Sequence, residues 1–221
     1  AIKRALFTRV EPHLKPKAIL ASSASGLMVK EMQEGFKNPA RFILAHPFNP
    51  PHLIPLVELL ANDRTEAGVL EQAEAFYASA GRVTIRVRKE IPGHIANRLQ
   101  AALWREAIHL VKEGVGTVED VDKAVSAGPG LRWAVMGPTM IFNLAAAGHG
   151  LEMYCERYAD SFHRWWDDMG EPRFTPDVRA MLSAGVAEEM HGRSLAEVAR
   201  ERDEIIVGIL RASRAVRETK A

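Results

Sequence analysis

The 221-residue sequence holds a single cysteine, Cys155, so no internal disulfide and no cysteine-based metal site can form. That usage fits a reducing, cytoplasmic compartment. No apolar run approaches the ~18 residues a membrane-spanning helix requires, and no secretory leader is visible. Charge of one sign is also missing. Lys plus Arg number 29 against 28 Asp plus Glu, a formal net charge of +1, which argues against a nucleic acid or an anionic membrane as partner. His13, His109, His149, His163 and His191 have no His, Cys or carboxylate neighbours at ligand spacing, so no metal site is expected. With 47% hydrophobic and 26% charged residues, the composition is that of a globular protein of one large or two ordinary domains.

Strand and helix patterns alternate over the first part. Residues 1–14 read as a helix, Ala18–Ser22 as a short buried strand, and 27–36 as a helix. Phe42–Ala45 and Leu56–Leu60 read as strands, and a helix of about 15 residues opens at Thr65 and stops at Gly81. Val83–Val87 alternates like a strand exposed on one side. Such alternation predicts a mainly parallel α/β sheet. Beyond Ile91-Pro-Gly93 the strand signals stop. Ile95, Leu99, Leu103, Leu110 and Val111 mark a long helix, and Thr117–Asp120 and Ser194–Glu197 resemble capping boxes. Residues 138–167 read as helix in pieces, broken near Gly148 and Gly150. Thr175-Pro176 opens a further helix to about Met190, and Ser194 to about Arg217 forms the last. The expected organisation is an α/β part over 1–91 followed by an all-α part over 92–221.

The segment richest in chemistry is Ala45-His46-Pro-Phe-Asn49-Pro-Pro-His52, followed by Leu56-Val-Glu58-Leu. A base that works near neutral pH needs an imidazole at a strand end and an anion to fix its tautomer. His46 and Glu58 supply the two groups, with prolines stiffening the turn between them; the plain alternative is a surface histidine and an edge carboxylate. Ser22, Ser23 and Ser25 follow a strand, where open α/β sheets bind ligands, although helix capping explains such serines equally well. Asn97, in the first turn of a helix, is placed either to donate to a substrate carbonyl or to serve as a local cap. Arg132, beside Trp133 in a glycine-bounded loop, is either a carboxylate or phosphate clamp or half of a stacked pair. Trp165-Trp166 reads as core or interface material.

Taken in order, Ser-Ser-Ala-Ser, His-Pro-Phe-Asn-Pro-Pro, Leu-Val-Glu-Leu and Gly-x-Ile-x-Asn-Arg-Leu resemble the 3-hydroxyacyl-CoA dehydrogenase family over nearly the whole chain. Their spacings agree: 21 residues from Ser25 to His46, 12 from His46 to Glu58 and 51 from His46 to Asn97. The doubled proline and the Leu-Arg-Trp loop resemble the branch holding lambda-crystallin (L-gulonate 3-dehydrogenase) and carnitine dehydrogenase. The resemblance implies the C-terminal part of a Rossmann-like NAD-binding domain, then a helical domain of the 6-phosphogluconate dehydrogenase C-terminal type. It also implies an NAD-dependent oxidoreductase acting on an L-3-hydroxyacyl-CoA, as in fatty acid metabolism, or on a related 3-hydroxy acid. By the same resemblance His46 is the base and Glu58 its holder. The resemblance likewise implies that Ser25 and Asn97 contact substrate and that Ser25, Asn49 and Lys3 lie near NAD; on chemistry alone, Arg132 or Lys3 would serve as the clamp for a substrate carboxylate. A homodimer through the helical domain is implied as well. A second expectation, from another class, is a non-catalytic crystallin-like protein that keeps the fold.

One family feature is not found in these residues. No Gly-x-Gly-x-x-Gly with a following acidic residue is present to hold a dinucleotide pyrophosphate and ribose. The chain also opens on Ala-Ile-Lys-Arg rather than Met. An incomplete or trimmed chain is expected, in preference to a second polypeptide supplying the rest, and residues 1–221 alone are expected to bind NAD poorly.

Overall fold

The computed structural model describes residues 2–24 and 28–219, and the chain divides into two compact units, 1–101 and 102–221.

The first unit is built on four strands, β1 (Leu20–Ser22), β2 (Phe42–Pro47), β3 (Leu56–Leu60) and β4 (Val83–Arg86), lying side by side in chain order. β1 runs parallel to β2 and β3 parallel to β4, but β2 and β3 are antiparallel. The sheet is therefore mixed rather than mainly parallel. The cause is connection length, because a parallel crossover takes a dozen or more residues and residues 48–55 are too few. The β1–β2 and β3–β4 links, which carry helices α2 (Val29–Gln33) and α3 (Val69–Ser79), are long enough to cross over.

Alternation sorts the strand residues onto two buried faces. Phe42, Leu44 and Leu60 meet Phe7 of α1 (Ile2–Val10), Val29 and Met32 of α2, and Phe36. Phe7 stacks on Phe36 with ring centroids 4.9 Å apart. Gly35 admits this approach, since a Cβ there would stand 2.9 Å from the Arg4 carbonyl oxygen. On the other face Ile43, Ala45, Val57 and Leu59 pack against Val69 and Ala73 of α3. Each fully buried large side chain contributes roughly 1.5–3 kcal/mol. Burial on both faces explains why β2 and β3 read as continuous apolar runs.

The helix α4 (Ala96–Lys112) begins in the first unit, whose contacts run past the Ile91–Gly93 turn to Ala101. The second unit continues with α5 (Val118–Ala127), α6 (Pro129–Trp133), α7 (Pro138–Ala145), α8 (Gly150–Asp168), α9 (Pro176–Glu189) and α10 (Leu195–Glu218). Both expected capping boxes form, Thr117 with Asp120 and Ser194 with Glu197. Val178 of α9 is buried with Val118 and Val121 of α5, and Gly185 lets the two helices close: a Cβ there would lie 2.2 Å from Val118 Cγ2. The segment read as a loop around Arg132 contains the short helix α6, opened by Pro129 in its first turn. No helix among the described residues is long and apolar enough to cross a membrane.

Candidate active site

The β2–β3 register places His46 directly opposite Glu58. Directly opposed residues share a face with Cβ atoms ~5 Å apart, so the pairing follows from the strand alignment itself. His46 Nδ1 and Glu58 Oε2 are 2.9 Å apart, with Glu58 fully buried and His46 8% exposed. Glu58 Oε1 accepts two further hydrogen bonds, from Ile95 N–H and Ala96 N–H, each at 2.9 Å. One carboxylate thus joins the imidazole to the start of α4.

These bonds settle the charge of Glu58. Burial pushes its pKa up, but hydrogen bonds from the Ala96 amide, from His46 and from the Ile95 amide, with the attraction of His46, outweigh burial. The net effect holds the carboxyl below its ordinary range, so it is an anion at neutral pH. The α4 N-terminus adds the positive end of a helix dipole. An anionic Glu58 accepts from His46 Nδ1–H, which leaves the Nε2 lone pair free to take a proton.

The remaining expected residues fall into three groups. Lys3, on α1, donates from Nζ to Ser22 Oγ at 3.2 Å, and Ala24 N–H reaches the same oxygen at 3.3 Å. Ser22 pairs in register with Leu44, two residues short of His46, so this cluster and the base lie at the same carboxyl end of two parallel strands. That is where open α/β sheets receive nucleotides, and the hydroxyl and ammonium donors suit the polar nicotinamide end of NAD. Asn49 is exposed in the turn just after β2, and Asn97 is half-buried in the first turn of α4. Arg132 is exposed on α6 in the second unit, and Ser25 lies outside the described residues.

Two participants escaped the sequence reading. The Ile95 and Ala96 amides are backbone groups with no residue signature; only the Pro92-Gly93 turn before a helix hinted at an exposed N-terminus. His94 is 3% exposed, and its ring centroid lies 5.6 Å from that of His46. Its one signal was its place between Gly93 and Ile95, immediately before an apolar helix.

Residues 1–91 match the model of the 3-hydroxyacyl-CoA dehydrogenase NAD-binding domain, and residues 93–189 match that of the family's C-terminal domain. The L-carnitine dehydrogenase of Streptomyces coelicolor is 42% identical over 212 residues, covering 96% of this chain and 67% of the relative. That of Nocardiopsis dassonvillei is 39% identical over 220 residues, covering 100% of this chain and 67% of the relative. Among solved structures, a 5-formyl-3-hydroxy-2-methylpyridine 4-carboxylic acid 5-dehydrogenase, described as an NAD+-dependent dismutase, superposes with a TM-score of 0.79 at 28% identity. That match covers 96% of this chain and 69% of the other. The chain thus spans about two thirds of the length of the proteins it matches. It belongs to the 3-hydroxyacyl-CoA dehydrogenase family of NAD-dependent oxidoreductases.

Proposed function

We propose that this chain carries the proton-abstracting part of an NAD-dependent dehydrogenase for a small L-3-hydroxy acid, with L-carnitine the leading substrate. The observation that carries the reading is the three-point hold on Glu58, which fixes the His46 tautomer with Nε2 as the free base. The substrate is taken from the two L-carnitine dehydrogenases at 42% and 39% identity.

In this mechanism the C3 hydroxyl proton passes to His46 Nε2, and the C3–O bond becomes a carbonyl as the C3 hydrogen leaves with its electron pair. NAD, when bound, supplies the acceptor for that hydride. His46 then carries a positive charge between Glu58 and the new carbonyl, and the Glu58 anion stabilises it. Asn97 is assigned to donate its amide to the reacting oxygen, with Ser25 as a second contact. Lys3 and Asn49 are assigned to the nicotinamide side.

The test is NADH formation by the full-length protein with L-carnitine, gulonate and 3-hydroxybutyrate, with acetoacetyl-CoA followed in reverse. We expect the highest kcat/KM with L-carnitine, and for His46→Gln a fall in kcat of about 10²–10⁴ with the fold retained. Activity unchanged by His46→Gln would overturn the catalytic reading. No turnover of any 3-hydroxy substrate by the wild type would favour the crystallin-like role.

The same reading includes a homodimer through the second unit. Its support is the exposure of large apolar side chains there, with Trp165 56%, Trp166 58% and Ile205 56% exposed.

A further inference from the structure

His94 is held at a cost from two directions. Its backbone φ is +50°, in the left-handed region that non-glycine residues seldom adopt. Both ring nitrogens are buried and have no hydrogen-bond partner among the described residues. Buried polar atoms are paired in the great majority of cases, so two orphans on one ring require a reason. If the ring were only a packing wall, phenylalanine would fill the space without that cost.

The reason lies in what surrounds it. The amides of the next two residues hold Glu58, and the His94 ring is tilted 54° to that of His46 with centroids 5.6 Å apart. Ring centroids at that separation leave room for a hydrogen bond between nitrogens on facing edges. Charged groups close to His94 in the chain are Arg88, Lys89 and Glu90 in the same linker and Arg98 in the first turn of α4, and Glu58 on β3 is held by the two amides that follow His94. Glu90 is engaged by Val29 N–H. Glu58 is engaged by His46 Nδ1 and the two amides. None of these acids is bonded to the His94 ring.

From this geometry we infer that His94 is a positioning residue for His46. It offers a nitrogen lone pair to the base once His46 has taken a proton and the product oxygen has left its Nε2–H. In the unprotonated state Nδ1–H is satisfied by Glu58 and Nε2 carries no hydrogen. Protonation creates a second N–H, which is left without a partner when product departs, and His94 is the adjacent acceptor. No electrons move in this step. The proton stays on His46, shared through a hydrogen bond, until solvent removes it.

The inference rests on His46 being the base, and two readouts separate it from that reading. The first needs no turnover. In full-length protein with ¹⁵N-labelled histidine, followed across a pH series, the His46 Nε2 proton, wherever it is present, exchanges with solvent about tenfold more slowly in wild type than in His94→Phe. Equal exchange rates overturn the inference. The second compares stability with kcat. Tm of His94→Phe is unchanged or raised because two orphan nitrogens are gone, yet kcat falls about tenfold with KM unchanged, and His94→Gln recovers at least half of the loss. Wild-type kcat in His94→Phe, alongside a dead His46→Gln, overturns the role of His94 and leaves the dehydrogenase reading standing. If His94→Phe does not fold, the exchange measurement on His94→Gln decides, a protected Nε2 proton supporting the inference and an unprotected one overturning it.

Discussion

The two units differ in where their buried polar groups lie. The buried polar side chains Ser22, Gln33, His46, Glu58 and His94 all lie in the first: Glu58 is bonded three times and Gln33 accepts from Asn62 at 2.7 Å, while Gln33 Nε2 and both His94 nitrogens have no partner among the described residues. The second exposes large apolar groups, with Leu195 76%, Trp166 58%, Trp165 56% and Ile205 56% exposed, as the first also does at Phe76 (67%) and Leu99 (62%). On the dimer proposed above, the exposed apolar side chains of the second unit's helices are the ones that meet another surface. Damage to the first should appear in stability and chemistry, and damage to the second in association.

The largest effect is expected from Glu58→Ala, which strands His46 Nδ1 and two backbone amides in a buried setting. Loss of one partner of a buried pair costs about 3–5 kcal/mol, to be read from denaturant midpoints with an unchanged m-value. Glu58→Gln, which keeps an acceptor oxygen, should cost visibly less. Next, replacing Trp165 and Trp166 with serine should weaken self-association by about 2 kcal/mol or more while leaving monomer stability nearly untouched. Light scattering across a concentration series gives that answer, and an unchanged mass would break the contrast between the units. Gly185→Ala should cost about 1–3 kcal/mol, because its Cβ would lie 2.2 Å from Val118 Cγ2 and α9 must move off α5.

The smallest expected effect is on pH dependence. Glu58 has a lowered pKa when folded, so the unfolded chain binds its proton more readily. Its contribution is fully present above the ordinary unfolded carboxylate value of about 4.3 and is lost as pH falls from there through the lowered folded value. Acid titration of stability should therefore be flatter in Glu58→Gln than in wild type. Parallel curves would mean that the three hydrogen bonds do not set its charge.

Much of this was legible in the chain. β2 and β3 were visible as apolar runs because both of their faces are covered, β4 showed as an alternating segment, and α5 and α10 announced themselves through Thr117–Asp120 and Ser194–Glu197. His46 and Glu58 stood out because an imidazole and a carboxylate interrupt otherwise apolar strands. The sheet's mixed direction was missed, since apolar pattern carries no information about strand sense. The length of segment 48–55 did carry it, because eight residues favour a hairpin return over a crossover. The helical turn at Pro129–Trp133 was missed because its glycines and proline read as loop.

The sequence alone determined the inventory: which residues can be buried, which interrupt the apolar runs with ionisable groups, and where the strands give way to helices. These depend on local periodicity and composition, which any window of the chain displays. Only the tertiary structure decided that residues 46 and 58 face each other in register, that the amides of 95 and 96 hold the shared carboxylate, and that the ring of 94 lies beside the base. Those are relations between backbone positions brought together by packing, and no linear pattern encodes the direction in which an amide or a ring points.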